Sequence, residues 1–190
     1  METPYVQALV KLANSQYLTY KDHVETDPVL SAQIKVYWDD LGFPFPGVQT
    51  AWSAVFVSWC IKTTGATRAE FHFSDAHSEF VFFAIKNRKA GIGVFQAYDF
   101  NEVVPELGDI LQNNRNGNKY NYAYASAHSE YLSHSAIVVK KGADAQGPYL
   151  ITVGGNESNS IRTKRIALSA DGKILPRVDS PFISLIKDSK

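Results

Sequence analysis

Ser53 lies where a nucleophile would gain most from the backbone. It stands in the first turn of a predicted apolar helix, Trp52 to about Thr64, shortly after the proline-rich segment 43–47. The N-terminal end of a helix carries partial positive charge and free N–H groups, which stabilise a developing alkoxide or oxyanion. A serine in this position can also act only as the helix cap. The sequence of this segment leaves both roles open.

His134 and Asn156 fall at the ends of two predicted strands. His134 precedes the apolar run 136–139, and Asn156 follows the run 149–153 and two glycines. If these strands form an antiparallel hairpin, both side chains lie at one end of it, where Asn156 would hold the imidazole in the tautomer that accepts a proton. The alternatives are a hydrogen-bonded structural histidine and a Gly-Gly-Asn turn whose residues tolerate positive φ.

Cys60 and His77 are the other candidates for a reactive side chain. Cys60 is the only thiol of the chain, but it follows Ser53 by seven residues and lies on the apolar stripe of the same helix, where a buried thiol is inert. His77 stands in the polar segment 74–79, where it would line a substrate groove or hold a structural hydrogen bond. Because no spacing of His, Asp or Glu matches a metal motif, we expect no metal and no other cofactor.

Tyrosines are concentrated in the segment Gln112 to Tyr131, which has no clear period and is predicted to be a long loop or flap. They alternate with asparagine and small residues, a pattern suited to sugar or peptide contact and equally to packing on the domain. The residues that we predict to bind substrate are Trp52, His77 and Tyr131.

Helices are predicted in the N-terminal half and short strands in the C-terminal half. Apolar spacings of three and four predict one helix near the N-terminus and two over residues 28–41 and 52–64. The cap-like Ser74 and the glycine at position 91 predict a fourth over residues 74–89. Short β-type runs follow Pro105, at 109–111, 136–139, 149–153 and 183–186. This order predicts an α+β fold. With no linker or repeat, we expect one domain over residues 1–190.

The composition argues against several classes of protein. Its 19 Lys+Arg balance 19 Asp+Glu, which argues against a protein that binds nucleic acid through clustered positive charge. A single cysteine excludes an internal disulfide. The longest apolar run, which contains residues 81–85, is far shorter than the ~20 residues of a membrane helix. We therefore expect no membrane span, and the first residues predict no signal peptide.

The order of the motifs resembles the papain-like NlpC-type and CHAP-type peptidoglycan hydrolases. The segment from Trp52 is similar to their Trp-Cys-Ala-Ala-Phe-Val segment, with Ser53 where most members have the catalytic cysteine. A closer resemblance is to a bacterial domain family of unknown function within that superfamily. The motifs that carry it are Ile34-x-x-Tyr37-Trp38, Trp52-Ser53-Ala54-x-Phe56, Phe73-Ser74-x-Ala76-His77-x-x-Phe80, Gly108-Asp109, His134 and Gly154-Gly155-Asn156.

This resemblance implies a papain-like fold, with N-terminal helices packed on a small antiparallel sheet. It assigns Ser53 as nucleophile, His134 as base and Asn156 as the orienting residue. The implied function is hydrolysis of an amide bond in the peptide part of bacterial peptidoglycan. Because serine needs a better-placed base than cysteine does, two alternatives stay open. One is a non-catalytic module that binds the cell wall, and the other is an esterase or acyltransferase on the same fold.

The cellular context follows from the same expectation. A wall-directed enzyme that lacks a signal peptide would be made in the cytoplasm and delivered by a specialised secretion system to the periplasm of a competing bacterium. Its partners would then be peptidoglycan, or another acyl or peptide substrate, and a cognate immunity protein.

Overall fold

The structure, a computed structural model, describes residues 2–190. The N-terminal half of the chain forms helices. These are α1 (Pro4–Tyr20), α2 (Pro28–Leu41), α3 (Ser53–Thr63) and α4 (His77–Ala90), with a short α5 (Tyr122–Ala125) further along the chain. The predicted bounds of α2 are confirmed, with proline in its first turn and Gly42 at its end in the left-handed region, at φ 75°. Nine of the 11 residues of α3 are buried, so α3 is the central helix of the fold.

Six strands form one antiparallel sheet in the order β1-β6-β2-β3-β4-β5. Their bounds are β1 Phe95–Asp99, β2 Ile110–Asn114, β3 Ser133–Asp144, β4 Gly147–Glu157, β5 Ser160–Ala167 and β6 Phe182–Asp188. The predicted hairpin of the strands at 136–139 and 149–153 is confirmed, because β3 pairs with β4 in antiparallel register. The described residues therefore form an α+β fold, as predicted.

Both faces of the sheet are covered by apolar side chains. One face packs on α1 to α4 through residues such as Ile110, Ile137 and Ile186. The adjacent residues of the same strands, including Leu111 and Val138, face a second cluster on the opposite side. Because side chains alternate along a strand, continuous apolar runs supply both clusters. No helix among residues 2–190 is long and apolar enough to cross a membrane.

Two predicted elements differ from the structure. The fourth helix begins at His77 rather than Ser74, because the Ser74 backbone is held outside the helix by two hydrogen bonds with the Ser58 hydroxyl. The segment 112–131 is not one long loop. Its first residues belong to β2, and α5 occupies its centre, capped by the side chain of Asn121.

Candidate active site

The Ser53 hydroxyl lies at the start of α3 and contacts a histidine. Trp52 occupies the N-cap position, and its side chain makes no capping hydrogen bond to this helix. The alternative that Ser53 is only a helix cap is therefore wrong. Its Oγ lies 2.7 Å from Nε2 of His77, and the serine is 2% exposed. The hydroxyl thus faces an imidazole at the helix end where an oxyanion is best stabilised.

His77 is the first residue of α4. The Ser58 hydroxyl donates to the Ser74 carbonyl at 2.8 Å and accepts from the Ser74 N–H at 3.1 Å, which fastens the entry of α4 to α3. Burial, then the charges of His134 and Arg115, hold the pKa of His77 well below its usual range. This ring is therefore neutral at physiological pH. Its Nδ1 is buried and has no hydrogen-bond partner among the described residues.

His134 forms a buried pair with an acidic residue of the neighbouring strand. Its Nε2 lies 2.7 Å from Oε1 of Glu157, and both side chains are less than a tenth exposed. Lys164 Nζ lies 2.9 Å from the other oxygen of Glu157. Burial alone would raise the pKa of Glu157, but the hydrogen bond and charge of His134, together with Lys164, outweigh burial and lower it. An ionised carboxylate therefore faces the imidazole.

The two histidine rings are neighbours. Their centroids lie 5.3 Å apart with an edge-on angle of 63°. Ser53, His77, His134 and Glu157 therefore form a continuous polar row through the buried space between α3, α4 and the β3-β4 hairpin. Each group of the row lies next to the following one, from the hydroxyl through the two imidazoles to the carboxylate.

Two glycines of β4 make room for this row. A methyl group on Gly154 would overlap Oε1 of Glu157 and lie 3.0 Å from Nε2 of His134. A methyl group on Gly155 would lie 2.6 Å from Cβ of Phe56 on α3. Since neither glycine has positive φ, the lack of a side chain is what the structure needs at both positions.

Asn156 does not hold His134. The register of β4 shifts between Gly154 and Glu157, and Asn156 adopts φ 53°. This irregularity brings Glu157 to the imidazole, whereas Asn156 lines a pocket beside it. The orienting contact predicted for Asn156 is thus made by Glu157, and Asn156 fits the alternative in which it tolerates a positive φ.

The three residues predicted to bind substrate lie in different surroundings. Trp52 is fully buried, donates to Glu25 Oε2 at 2.9 Å and lines neither pocket of the site, so it belongs to the core. The prediction that Trp52 binds substrate is therefore wrong, because its side chain has no access to either pocket. His77 and Tyr131 both line a pocket at Ser53. The Tyr131 hydroxyl accepts a hydrogen bond from Gln112 at 3.0 Å, and burial raises the pKa of this tyrosine to about 12.

Cys60 lies inside the core and outside the polar row. The thiol is fully buried, and burial raises its pKa far above the usual range. A protonated thiol without access to solvent is a poor nucleophile. The geometry therefore favours Ser53 over Cys60.

Two pockets flank the polar row. The smaller, of about 140 Å³, is lined by Ser53, His77 and Tyr131 among others. The larger, of about 210 Å³, is lined by His134, Asn156 and Glu157 together with two cationic residues and several asparagines and serines. Residues 2–190 contain no group of three His, Cys, Asp or Glu side chains arranged to hold a metal ion. The row and its pockets suit acyl transfer through a serine.

A comparison with protein families finds a match to this chain. A family model described as "Uncharacterized protein conserved in bacteria (DUF2272)" matches residues 21–184, which include the whole polar row. Searches of curated proteins and of solved structures find no match.

Proposed function

The chain belongs to this uncharacterized bacterial family DUF2272, and we propose that it is a serine hydrolase of papain-like type that cleaves an amide bond. The observation that carries the proposal is the contact of Ser53 with His77 beside the buried His134–Glu157 pair. A nucleophilic hydroxyl, an imidazole and an orienting carboxylate are the groups that serine acyl transfer requires. Here Glu157 takes the role that we predicted for Asn156.

His134 is the better general base of the two histidines. Proton transfer to His77 would create a charge that burial, His134 and Arg115 all oppose. A proton on His134 would instead face the ionised carboxylate of Glu157. Because Nε2 of His134 is engaged by that carboxylate, Nδ1 is the nitrogen that accepts the proton.

His77 then acts as a hydrogen-bond donor to Ser53. If the Ser53 hydroxyl donated to Nε2, the neutral ring would carry its proton on Nδ1, where the described residues provide no acceptor. A buried N–H without a partner is rarer in proteins than an unsatisfied acceptor. With the proton on Nε2, His77 donates to Ser53 Oγ and stabilises the negative charge that develops on it. In this proposal the serine proton moves to His134, whose ring lies beside that of His77.

The reaction proceeds through an acyl-enzyme. As Ser53 Oγ bonds to the substrate carbonyl carbon, His134 takes the hydroxyl proton, and backbone N–H groups at the start of α3 stabilise the oxyanion. His134 returns the proton to the leaving amine as the C–N bond breaks. Water, deprotonated by His134, then attacks the Ser53 ester. The ester C–O bond breaks, His134 returns the proton to Ser53 Oγ, and the acid is released.

The substrate that we propose is an amide bond in the peptide part of bacterial peptidoglycan. This choice rests on the resemblance of the Trp52-Ser53 and His134 motifs to papain-like wall hydrolases, and the pockets on both sides of the polar row would accommodate residues on either side of the bond. Because peptidoglycan lies in the periplasm, we propose that the protein is delivered to the periplasm of a competing bacterium. We also propose that a cognate immunity protein binds it. Binding of this chain by the product of an adjacent gene would support that context.

Mass spectrometry of digested peptidoglycan tests the substrate. Purified sacculi are incubated with wild-type protein, Ser53→Ala and Cys60→Ala. The proposal expects new peptide fragments from wild type and Cys60→Ala and none from Ser53→Ala. Fragments from all three proteins would exclude Ser53 as nucleophile. If the wild-type protein binds to the sacculi but cleaves none of them, the wall-binding alternative is favoured.

A pair of glutamine variants tests the separate roles of the histidines. The Gln amide can donate a hydrogen bond from the position of histidine Nε2 but cannot accept a proton at neutral pH. Turnover should therefore survive in part in His77→Gln and be lost in His77→Ala. His134→Gln should be as inactive as His134→Ala. Equal loss in His77→Gln and His77→Ala would identify His77 as the base instead.

A further inference from the structure

Arg115 borders both pockets of the site and has no counter-ion among residues 2–190. It lines the smaller pocket with Ser53 and the larger one with His134. No carboxylate of residues 2–190 lies within 4 Å of its guanidinium, and it makes no side-chain hydrogen bond to a described residue. Each of the other five arginines does make such a bond, namely Arg68, Arg88, Arg162, Arg165 and Arg177.

The backbone that carries Arg115 is firmly anchored. The preceding residue, Asn114, is 1% exposed, and its amide donates to the carbonyls of Tyr120 and Pro181 at 2.8 and 3.0 Å. Its side-chain oxygen accepts from the Tyr120 N–H at 2.7 Å. The turn then reverses through Asn116 at φ 55° and Gly117 at φ 75°. The guanidinium is therefore attached at a fixed point beside the polar row.

The charge of Arg115 is unfavourable for the free site. It is one of the causes that lower the pKa of His77, and it lies beside a pocket where His134 must gain a proton during the reaction. A bound anion would neutralise this charge and remove its opposition to an imidazolium. The larger pocket also contains the Glu157 carboxylate, whose charge is already paired with His134 and with Lys164 Nζ, 2.9 Å from Oε2. Asn113 and Asn116 add neutral polar groups around such an anion.

We propose that Arg115 binds a carboxylate of the substrate in the larger pocket, so that the preferred acyl donor carries a carboxylate close to the scissile carbonyl. The inference rests on the proposed function and specifies its substrate class. The planar guanidinium matches a carboxylate with two parallel hydrogen bonds, which an ammonium does not reproduce. A neutral amide of the same shape provides one acceptor and repels the guanidinium with its own N–H groups. Arg115 therefore selects the acid over the amide.

An isosteric pair of probes tests this selection. N-acetyl-glutamyl 4-nitroanilide and N-acetyl-glutaminyl 4-nitroanilide differ only in carboxylate against carboxamide. Wild type should have a kcat/KM at least ~tenfold higher for the glutamyl probe. Arg115→Gln and Arg115→Lys should lose most of this ratio. Lys119→Gln removes a charge from the same turn outside both pockets and should keep it.

Binding to Ser53→Ala separates this inference from the proposed function. NMR titration of Ser53→Ala protein with the two probes should give a Kd at least ~tenfold lower for the glutamyl probe, and Arg115→Gln in the same background should abolish the difference. Equal Kd values, or turnover by wild type without preference for the acid, would overturn the inference. If the protein binds the glutamyl probe selectively but wild type releases no 4-nitroaniline, the carboxylate site is supported and the proposed hydrolase activity is contradicted.

Discussion

Gly154→Ala tests the His134–Glu157 pair without altering either residue. The new methyl group would overlap Oε1 of Glu157 and lie 3.0 Å from Nε2 of His134. Because the φ of Gly154 is not positive, alanine meets no backbone strain there, and the effect is confined to the two side chains. They must separate to admit the methyl group.

The size of the effect follows from the bond that is lost. A hydrogen bond to a charged group contributes about 1.5–3 kcal/mol, and about 1.4 kcal/mol corresponds to a factor of ten in rate. If the pair stabilises the imidazolium in the transition state, kcat/KM should fall about ten- to a hundredfold. Release of new amino groups from peptidoglycan measures the rate. The downfield proton NMR signal of the His134–Glu157 hydrogen bond should disappear in the variant.

Gly142→Ala is the matched control for this variant. Gly142 lies in the same β3-β4 hairpin, where its added methyl group would meet the side chain of Tyr149, 2.9 Å away. It should keep both the rate and the NMR signal. If Gly154→Ala loses the NMR signal but keeps the wild-type rate, the His134–Glu157 pair has no role in catalysis.

Three further predictions concern pH and the thiol. Burial and the charges of His134 and Arg115 lower the pKa of His77. Below pH ~6.5 this histidine is therefore protonated in the unfolded chain but stays neutral in the folded protein. The free energy of unfolding should fall on acidification by at most about 1.4 kcal/mol per pH unit, and His77→Gln should flatten this fall in urea unfolding. Burial and the charge of Asp109 raise the pKa of Asp188 to about 7, so folded Asp188 holds a proton that the unfolded chain loses above pH ~4. Stability should therefore decline from that pH to about 7, and Asp188→Asn should remove this decline; an unchanged profile would contradict its protonation. Cys60→Ala should keep full turnover, and loss of activity with wild-type folding by circular dichroism would contradict the inert role of the thiol.

The sequence predicts the buried strands and misses the edge strands. The runs in β2, β3, β4 and β6 are apolar because these strands lie inside the sheet. The missed strands, β1 and β5, are its two edges. The sequence of β5, SIRTKRIA, carries three positive charges, as is common for edge strands that must avoid further pairing. Composition alone therefore does not distinguish such strands from loops.

The sequence locates the ends of the elements that carry the site, but not the contacts between them. Ser53 and His134 lie at the expected ends of α3 and β3. The partner of His134 depends on a one-residue irregularity in β4, whose only sequence signal is the Gly-Gly-Asn before Glu157. The contact of His77 with Ser53 joins α3 to α4, and a contact between separate helices leaves no periodic pattern.

Labelling with a fluorophosphonate tests the central claim most directly. The reagent modifies only a serine whose hydroxyl is activated, and peptide mapping by mass spectrometry identifies the residue. We predict one adduct on Ser53 in wild type, and none in His134→Ala when circular dichroism shows the variant to be folded. An unlabelled Ser53 in wild type, or equal labelling of folded His134→Ala, would contradict a serine nucleophile activated by the His134–Glu157 pair.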